Sequence, residues 1–268
     1  MKLRLLGTGA ADGIPSMYGD DAVSRYAKEH GGKDIRSRAA AILDGHLKID
    51  LPPDTLMQLQ RDRLSTADWS ALIFTHSDDD HLAVSEIQYS MIPFTTEEEL
   101  PYPIYCNPTV AEIIEARYPR WPIEIVLTHS FECYEIGAYR MTPVKATHIS
   151  GEDCQNLIFE KDGRTLLYAT DTGVWREETW NFLKSFKLDA LVIECTDGFD
   201  TATYEGHLDL NQCVSMVDRL RTMGVLEHNS VVATTHHSVR GQANHAQLEE
   251  ALGRHSILAG FDGMEIDV

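Results

Sequence analysis

The chain has 268 residues, 43% of them hydrophobic, which is enough to bury a substantial core within one domain. Lys and Arg number 23 against 42 Asp and Glu, and the formal net charge of −19 disfavours nucleic acid as a partner. No apolar run approaches the roughly 18 residues that a membrane-spanning helix requires. We therefore expect one soluble domain over residues 1–268 that does not act at a membrane.

The cysteines are five in number and irregularly spaced, and no CxxC pair occurs among them. Residues 1–6 lead directly into a strand-like segment, without the pattern of a secretory signal. These features predict a cytoplasmic protein whose thiols are reduced and mostly buried.

Short β-like runs alternate with amphipathic helical segments along the whole chain, with no linker rich in Pro, Ser or Gly. The pair Asp44-Gly45 lies between two apolar runs and predicts a hairpin, because Gly supplies the positive φ of a tight turn. Residues 14–36 lack a firm period, and we expect a long loop there with one helical turn near 23–29. The other elements predicted in the first half are strands at 3–6, 39–43, 46–51, 71–74 and 104–106 and helices at 54–62, 82–92 and 109–118.

The second half has the same character. Asp162-Gly163 separates two further apolar runs and predicts a second hairpin. The predicted elements are strands at 139–146, 157–160, 165–169, 191–194 and 231–233 and helices at 210–223 and 243–252. Two halves of this kind favour an α/β fold in which two sheets pack together and helices cover their outer faces.

Residues 75–81, with the sequence Thr-His-Ser-Asp-Asp-Asp-His, carry the strongest chemical signal in the chain. They follow an apolar run and precede a segment with helical spacing, so His76, Asp78, Asp80 and His81 lie at a strand-to-helix corner. Imidazole and carboxylate ligands at such a corner suit zinc, manganese or iron. The alternative is that the aspartates only cap the next helix, and the flanking histidines favour a metal site.

Three later residues, His148, Asp171 and His236, each close an apolar β-like run. A threonine precedes both histidines, as it does in the first cluster, which favours His236 over its neighbour His237. His237 and His245 stay open as alternative ligands.

Together these residues resemble the metal-binding positions of the metallo-β-lactamase superfamily, and the resemblance covers nearly the whole chain. It implies a single hydrolase domain with an αββα sandwich of two mixed β-sheets and helices on the outer faces. It further implies two divalent ions, zinc, manganese or iron, with manganese or zinc favoured. The implied ligands are His76, Asp78 and His148 for one ion, Asp80, His81 and His236 for the other, and Asp171 as a bridge.

One position departs from the usual pattern of the superfamily, because Asp78 stands where a histidine is usual. An anionic oxygen ligand makes this site harder and shifts its preference toward manganese or iron. Flavodiiron reductases also have a carboxylate there, but they need an electron-donor domain that we do not expect in this protein.

Within the superfamily, the chain is most similar to phosphoribosyl cyclic phosphodiesterases and, more distantly, to tRNA 3′-processing endonucleases. The similar segments are Leu6 to Gly9, Ile49 to Asp54, Tyr168 to Gly173, Glu194 to Thr196 and Gly206 to Leu208. The similarity implies that His207 contacts the substrate phosphate or assists proton transfer, so His207 and Asp80 are the predicted catalytic residues. A helix-capping or surface role is the alternative for His207.

Two features of that branch are missing from this sequence. Residues 11–38 lack the cysteines of a structural zinc site, and no basic arm is evident. Arg36, Ser37 and Arg38 precede the first hairpin, and we expect a surface position for the arginines, with contact to a substrate anion as the alternative.

The function predicted from these residues is a metal-dependent phosphodiesterase that hydrolyses a small linear or cyclic anionic diester through a hydroxide bridging two metal ions. A lactonase or other carboxylic-ester hydrolase would use the same ions. The alternative outside enzymes is a non-catalytic accessory protein that binds metal or ligand. A homodimer is compatible with the sequence.

Overall fold

Two β-sheets packed face to face form the centre of the protein in a computed structural model that describes residues 1–268. The first sheet has seven strands: β1 (Lys2–Gly7), β2 (Ala40–Leu43), β3 (Leu47–Ile49), β4 (Ala71–Ile73), β5 (Ile104–Cys106), β6 (Ile125–Leu127) and β13 (Glu265–Asp267). The second has six: β7 (Tyr134–Ile136), β8 (Tyr139–Lys145), β9 (Gln155–Lys161), β10 (Arg164–Ala169), β11 (Leu188–Glu194) and β12 (Leu226–Thr235).

The directions of the strands determine where the candidate site residues lie. In the first sheet, whose order is β13-β1-β2-β3-β4-β5-β6, β3 and β4 are parallel. In the second, β10, β11 and β12 are parallel, and β9 is antiparallel to both β8 and β10, so β8 runs in the direction of β10. Parallel strands end at the same edge of a sheet, so the residues that follow these strands gather at one end of the sandwich.

Alternate residues of the strands face two different apolar layers. In β10, Leu166 and Tyr168 pack between the sheets, whereas Leu167 and Ala169 pack against the outer helices. This two-sided burial explains the continuous apolar runs in the sequence, since a strand covered on both faces has no polar side.

Helices cover the outer faces: α1 (Ala22–His30), α2 (Thr55–Asp62), α3 (Pro108–Arg117), α4 (Glu177–Leu183), α5 (Leu210–Thr222) and α6 (His245–Gly253). Both α5 and α6 begin with a capping box, in which the N-cap side chain and the third helical residue satisfy each other's backbone N–H groups. None of the helices has the length and apolar character needed to span a membrane.

The predicted αββα sandwich of two mixed sheets is confirmed. Both Asp-Gly hairpin turns are also present, with Asp44 at φ 49° and Asp162 at φ 52°. The structure differs from the prediction at 82–92, where a 3₁₀ helix spans Val84–Ser90 and buries only Ile87. A single buried apolar anchor does not supply the stripe that stabilises an α-helix.

The region expected to be a loop with one helical turn contains the longer helix α1. Asp21 caps it by accepting a 2.7 Å hydrogen bond from the N–H of Ser24. Val23 and Ala27 bury its inner face against Ile14. The prediction also missed α4 and the short strands β6, β7 and β13, because three-residue strands carry too little periodicity.

Asp44 links the two sheets at the end of the sandwich opposite the strand ends described above. Its carboxylate accepts hydrogen bonds from the Tyr139 hydroxyl and, at 2.9 Å, from Lys161 Nζ, both in the second sheet. Partial burial raises the pKa of Asp44, but these hydrogen bonds outweigh burial and lower the pKa to about 2.

We predict that Asp44→Asn lowers the free energy of unfolding at pH 7 by about 1–2 kcal/mol. Because the folded pKa lies below the unfolded value of about 3.9, this stabilisation is complete above about pH 5 and is lost as the pH falls toward 2. Urea denaturation at pH 7 and at pH 3 measures both effects. Asp162→Asn, at the same turn position but exposed, is the control, and an equal loss in both variants would contradict the link.

Candidate metal centre

All seven predicted ligands lie together at the end of the sandwich where the parallel strands finish. His76, Asp78, Asp80 and His81 follow β4, His148 follows β8, Asp171 follows β10 and His236 follows β12. The centre thus draws side chains from both sheets, although up to 160 residues separate its members in sequence.

Asp171 occupies the middle of this cluster and is buried. Its Oδ2 lies 2.9 Å from His81 Nε2, and its Oδ1 lies 3.1 Å from His236 Nε2. The same Oδ1 lies 3.9 Å from His76 Nε2 and 3.7 Å from His148 Nε2. One carboxylate therefore faces four imidazole nitrogens.

The other ligands form two groups, each with two imidazoles and one carboxylate. In the first group, Asp78 Oδ2 lies 3.0 Å from His148 Nε2 and 3.5 Å from His76 Nε2. In the second, Asp80 Oδ2 lies 3.4 Å from His81 Nε2 and 3.6 Å from His236 Nε2. Asp171 stands between the two groups, which is the position that a bridging carboxylate requires.

The unpaired atoms of the cluster fit divalent cations. The Nε2 atoms of His76, His81 and His236 are buried and have no hydrogen-bond partner, an arrangement that normally costs stability. In His81 the opposite nitrogen, Nδ1, lies 2.8 Å from Asp50, so in a neutral ring the Nε2 lone pair faces the Asp171 oxygen. Two lone pairs at this distance require a cation or a proton between them. Imidazole nitrogen and carboxylate oxygen are suitable ligands for zinc, manganese or iron.

A proton competes with a metal ion for this position. Burial lowers the pKa of His81, but the carboxylates of Asp171, Asp80 and Asp50 outweigh burial and raise it. Metal binding must displace that proton, so metal affinity should fall as the pH falls.

Asp50 orients two of the histidines from behind. Its carboxylate contacts His81 Nδ1 directly and accepts a 2.9 Å hydrogen bond from Thr75 Oγ1. Because the Thr75 hydroxyl donates to Asp50, it can only accept from His76 Nδ1, which lies 2.9 Å away. Both rings are thereby held with Nε2 directed into the cluster.

Glu194 repeats this arrangement in the second sheet. Its Oε1 lies 2.9 Å from His207 Nδ1, and its Oε2 accepts a hydrogen bond from Thr196 Oγ1. The Thr196 hydroxyl is in turn 2.8 Å from His236 Nδ1. Asp50 and Glu194 both lie in segments that resemble the family and at the ends of strands, but the sequence alone did not predict these roles.

The backbone turns sharply where the chain leaves the sheets. Asp50, Asp171 and His236 all have positive φ, at 57°, 42° and 57°, and such strain persists in proteins mainly at functional sites. The buried Lys48 ammonium donates to the carbonyl oxygens of Ile49 and Asp50 and so holds the first of these turns. Burial lowers the pKa of Lys48 to about 7.

The other predicted site residues are His207, which lies beside the cluster, and the alternative ligands His237 and His245. His207 adjoins it, with its ring centroid 5.2 Å from that of His236. His237 Nε2 lies 3.1 Å from Thr234 Oγ1, and His245 Nδ1 lies 3.1 Å from Arg36, and neither histidine belongs to a group of converging metal-ligating atoms.

The expectation that Arg36 lies at the surface is wrong. Its guanidinium is buried and donates hydrogen bonds to Thr8 Oγ1 and to the Gly260 carbonyl, so the charged group contacts the protein interior. Ser37 is buried too, and it donates to Asp262 through both its N–H and its hydroxyl. Arg38 is part-exposed and pairs with Asp54 at 3.2 Å.

We predict that Asp50→Asn lowers the affinity for zinc and for manganese by about 10–100-fold, because the orientation of two imidazoles is lost. Asn tolerates the left-handed backbone at this position. Competition with a chromophoric chelator measures the affinity. Asp54→Asn is the matched control, since Asp54 binds Arg38 and none of the histidines, and equal affinity in both variants would show that Asp50 does not orient the ligands.

Comparison with known proteins places these observations in a family. Residues 48–237 match the family model of the beta-lactamase superfamily domain, a span that runs from just before Asp50 to just after His236. No curated protein matches the chain in sequence.

Several solved structures share the fold. The chain aligns with a diphosphatase from the PhnP family at a TM-score of 0.79 and 22% identity, covering 100% of this chain and 97% of the other. It aligns with zinc-bound PqqB from Methylobacterium extorquens at 0.78 and 15%, covering 100% of both. The short form of human tRNase Z aligns at 0.66 and 17%, covering 100% of this chain and 99% of the other.

The family match covers most of the chain and contains every residue of the candidate centre. This chain therefore belongs to the β-lactamase superfamily and has the metallo-β-lactamase fold.

Proposed function

We propose that the protein is a dinuclear metal-dependent phosphodiesterase that acts on a small anionic phosphodiester. The observation that carries the proposal is that Asp171 lies between two groups, each with two imidazoles and one carboxylate. Three buried Nε2 atoms in these groups lack hydrogen-bond partners. His76, Asp78 and His148 would hold one ion, Asp80, His81 and His236 the other, and Asp171 would serve both.

The charge of the centre favours two ions for an anionic substrate. The three carboxylate ligands, Asp78, Asp80 and Asp171, contribute a formal charge of −3, which one divalent ion leaves at −1 and two ions exceed. The second ion therefore makes these ligands more attractive to a phosphodiester. The carboxylate at Asp78, where relatives usually have a neutral histidine, makes this dependence on the second ion stronger.

Divalent ions at such a centre polarise a phosphoryl oxygen and lower the pKa of water. Two of the structural neighbours have names that refer to the cleavage of bonds to phosphorus, the diphosphatase and tRNase Z. Those names support a phosphorus substrate for this chain as well.

His207 is suited to move a proton at the edge of the centre. Its Nδ1 contacts Glu194, and the ring also lies close to Asp171 and His236. Burial lowers the pKa of His207, but the Glu194 carboxylate outweighs burial and raises the pKa to about 9. A ring held in this position can pass a proton to a phosphoryl oxygen or to the departing alkoxide.

The class of substrate is tested with reconstituted protein. After loading with manganese, zinc or iron, we expect about two ions per chain and hydrolysis of bis-p-nitrophenyl phosphate. Metal analysis and p-nitrophenolate release measure these outcomes, with a panel of lactones and cyclic nucleotides alongside. Turnover of lactones without turnover of diesters would replace the proposal with a lactonase, and fewer than one ion with no hydrolysis would indicate an accessory protein.

We predict that His207→Ala lowers kcat for the diester at least tenfold and leaves the metal content unchanged. The loss follows from removing a proton donor that adjoins the reacting group. His255→Ala, which removes an exposed histidine after α6, is the control. An unchanged kcat in the first variant would assign His207 a structural role.

Asp78→His is expected to retain metal binding and to shift preference from manganese toward zinc, because a neutral nitrogen ligand replaces a hard anionic oxygen. The ratio of the two affinities measures this shift. Asp79→His places an imidazole one residue further along, on an exposed side chain, and should leave the ratio unchanged. Equal ratios in both variants would show that Asp78 is not a ligand.

A further inference from the structure

A cleft of about 870 Å³ adjoins the candidate metal centre at His148. Its walls come from residues 145–153, from Arg176 and Glu178, and from residues 203–206. A smaller cavity of about 410 Å³, lined by residues 99–103 and 121–124, contains no residue of the centre. The larger cleft thus offers space beside His148 into which a substrate bound at the centre can extend.

Tyr204 joins the cleft to the centre. Its hydroxyl donates to the His148 carbonyl at 3.0 Å, and its ring centroid lies 5.9 Å from the ring of His148 and 5.5 Å from that of His207. The tyrosine is nevertheless 47% exposed. An anchored ring with an open face offers apolar contact to a sugar or a base.

The cations of the cleft are already matched by carboxylates of the cleft. Arg176 lies 3.3 Å from Glu205, and Lys145 lies 3.8 Å from Glu178. Each positive side chain of the cleft thus has a carboxylate beside it that offsets its charge.

Two further carboxylates in the cleft have no cationic partner. Glu152 accepts hydrogen bonds from the side chains of a serine and an asparagine, and Asp153 accepts from the hydroxyl and N–H of another serine. These neutral donors do not cancel the charges. Four carboxylates against two cations give the cleft a formal charge of −2.

We infer that this cleft receives the organic group of the phosphodiester and selects against substrates that carry a second phosphate. The inference rests on the proposed function. The reacting phosphate is drawn to the two metal ions, whereas a second phosphate on the organic group enters the region at −2. This repulsion acts over the Debye length, which is about 8 Å at physiological salt and shortens as salt increases.

The substrate class that follows is a diester whose organic group is uncharged, such as a simple alcohol, a sugar or a nucleoside without a further phosphate. Phosphorylated sugars and oligonucleotides are disfavoured. The family resemblance implies a phosphoribosyl substrate instead. The two expectations differ because the preference for an uncharged organic group depends on side chains of this cleft and not on the metal ligands.

The test compares two substrates that differ by one phosphate, the 5′-(p-nitrophenyl phosphate) of thymidine and the same ester with a 3′-phosphate. In both, water attacks phosphorus, the bond from phosphorus to the p-nitrophenyl oxygen breaks, and p-nitrophenolate leaves. With manganese-loaded protein we expect kcat/KM to be at least tenfold higher for the ester without the 3′-phosphate. The ratio should shrink as salt increases.

Glu205→Lys tests the charge of the cleft directly. Its side chain is 87% exposed, so the substitution is compatible with folding, and it should reduce the ratio of the two kcat/KM values at least threefold. Asp267→Lys is the matched control, since Asp267 is equally exposed and lies in β13 at the opposite end of the sandwich. It makes the same change in net charge and should leave the ratio unaltered.

The outcomes separate the inference from the proposed function. Hydrolysis of both esters with similar kcat/KM, or an equal effect of the two lysine variants, overturns the role of the cleft and leaves the phosphodiesterase proposal standing. No hydrolysis of either ester, or of bis-p-nitrophenyl phosphate, overturns the proposed function and the inference with it.

Discussion

The buried carboxylate of Asp171 is the constraint on which the functional end of the protein depends. An anion enclosed by protein is tolerated only when positive charge and directed hydrogen-bond partners balance it. Four imidazole nitrogens surround Asp171, and two more buried carboxylates, Asp50 and Glu194, stand behind those rings. So much negative charge in one place makes the end of the sandwich dependent on cations. Metal binding and local stability are thus coupled.

The sandwich positions this cluster with little help from long loops. Parallel strands from both sheets finish at the same end, and left-handed turns at Asp50, Asp171 and His236 direct the side chains inward as the chain leaves each strand. Asp50 and Glu194 make equivalent contacts, because each carboxylate contacts one histidine directly and a second through a threonine hydroxyl. Rings held from behind keep their Nε2 atoms convergent before any ion binds, which reduces the cost of ordering the ligands.

Charge is distributed unevenly around the proposed substrate. The chain as a whole carries −19, and the cleft beside His148 carries −2. The metal centre with two ions is where this region attracts an anion most strongly. A substrate with one phosphate can satisfy this pattern by placing that phosphate at the centre, whereas a polyanion must place charge against the cleft. The short form of human tRNase Z shares the fold, so the sandwich alone does not determine the substrate.

The sequence by itself determined the fold class, both hairpins and the candidate ligands, because each of these has a local signal. An apolar run predicts a buried strand, Asp-Gly predicts its tight turn, and a histidine or aspartate at the strand end predicts a ligand. Only the tertiary structure decided that Arg36 is buried, that Asp50 and Glu194 orient the histidines, and that cleft carboxylates outnumber the cations. These features depend on contacts between segments far apart in the chain, and no local pattern reports which distant side chains will meet when two sheets pack.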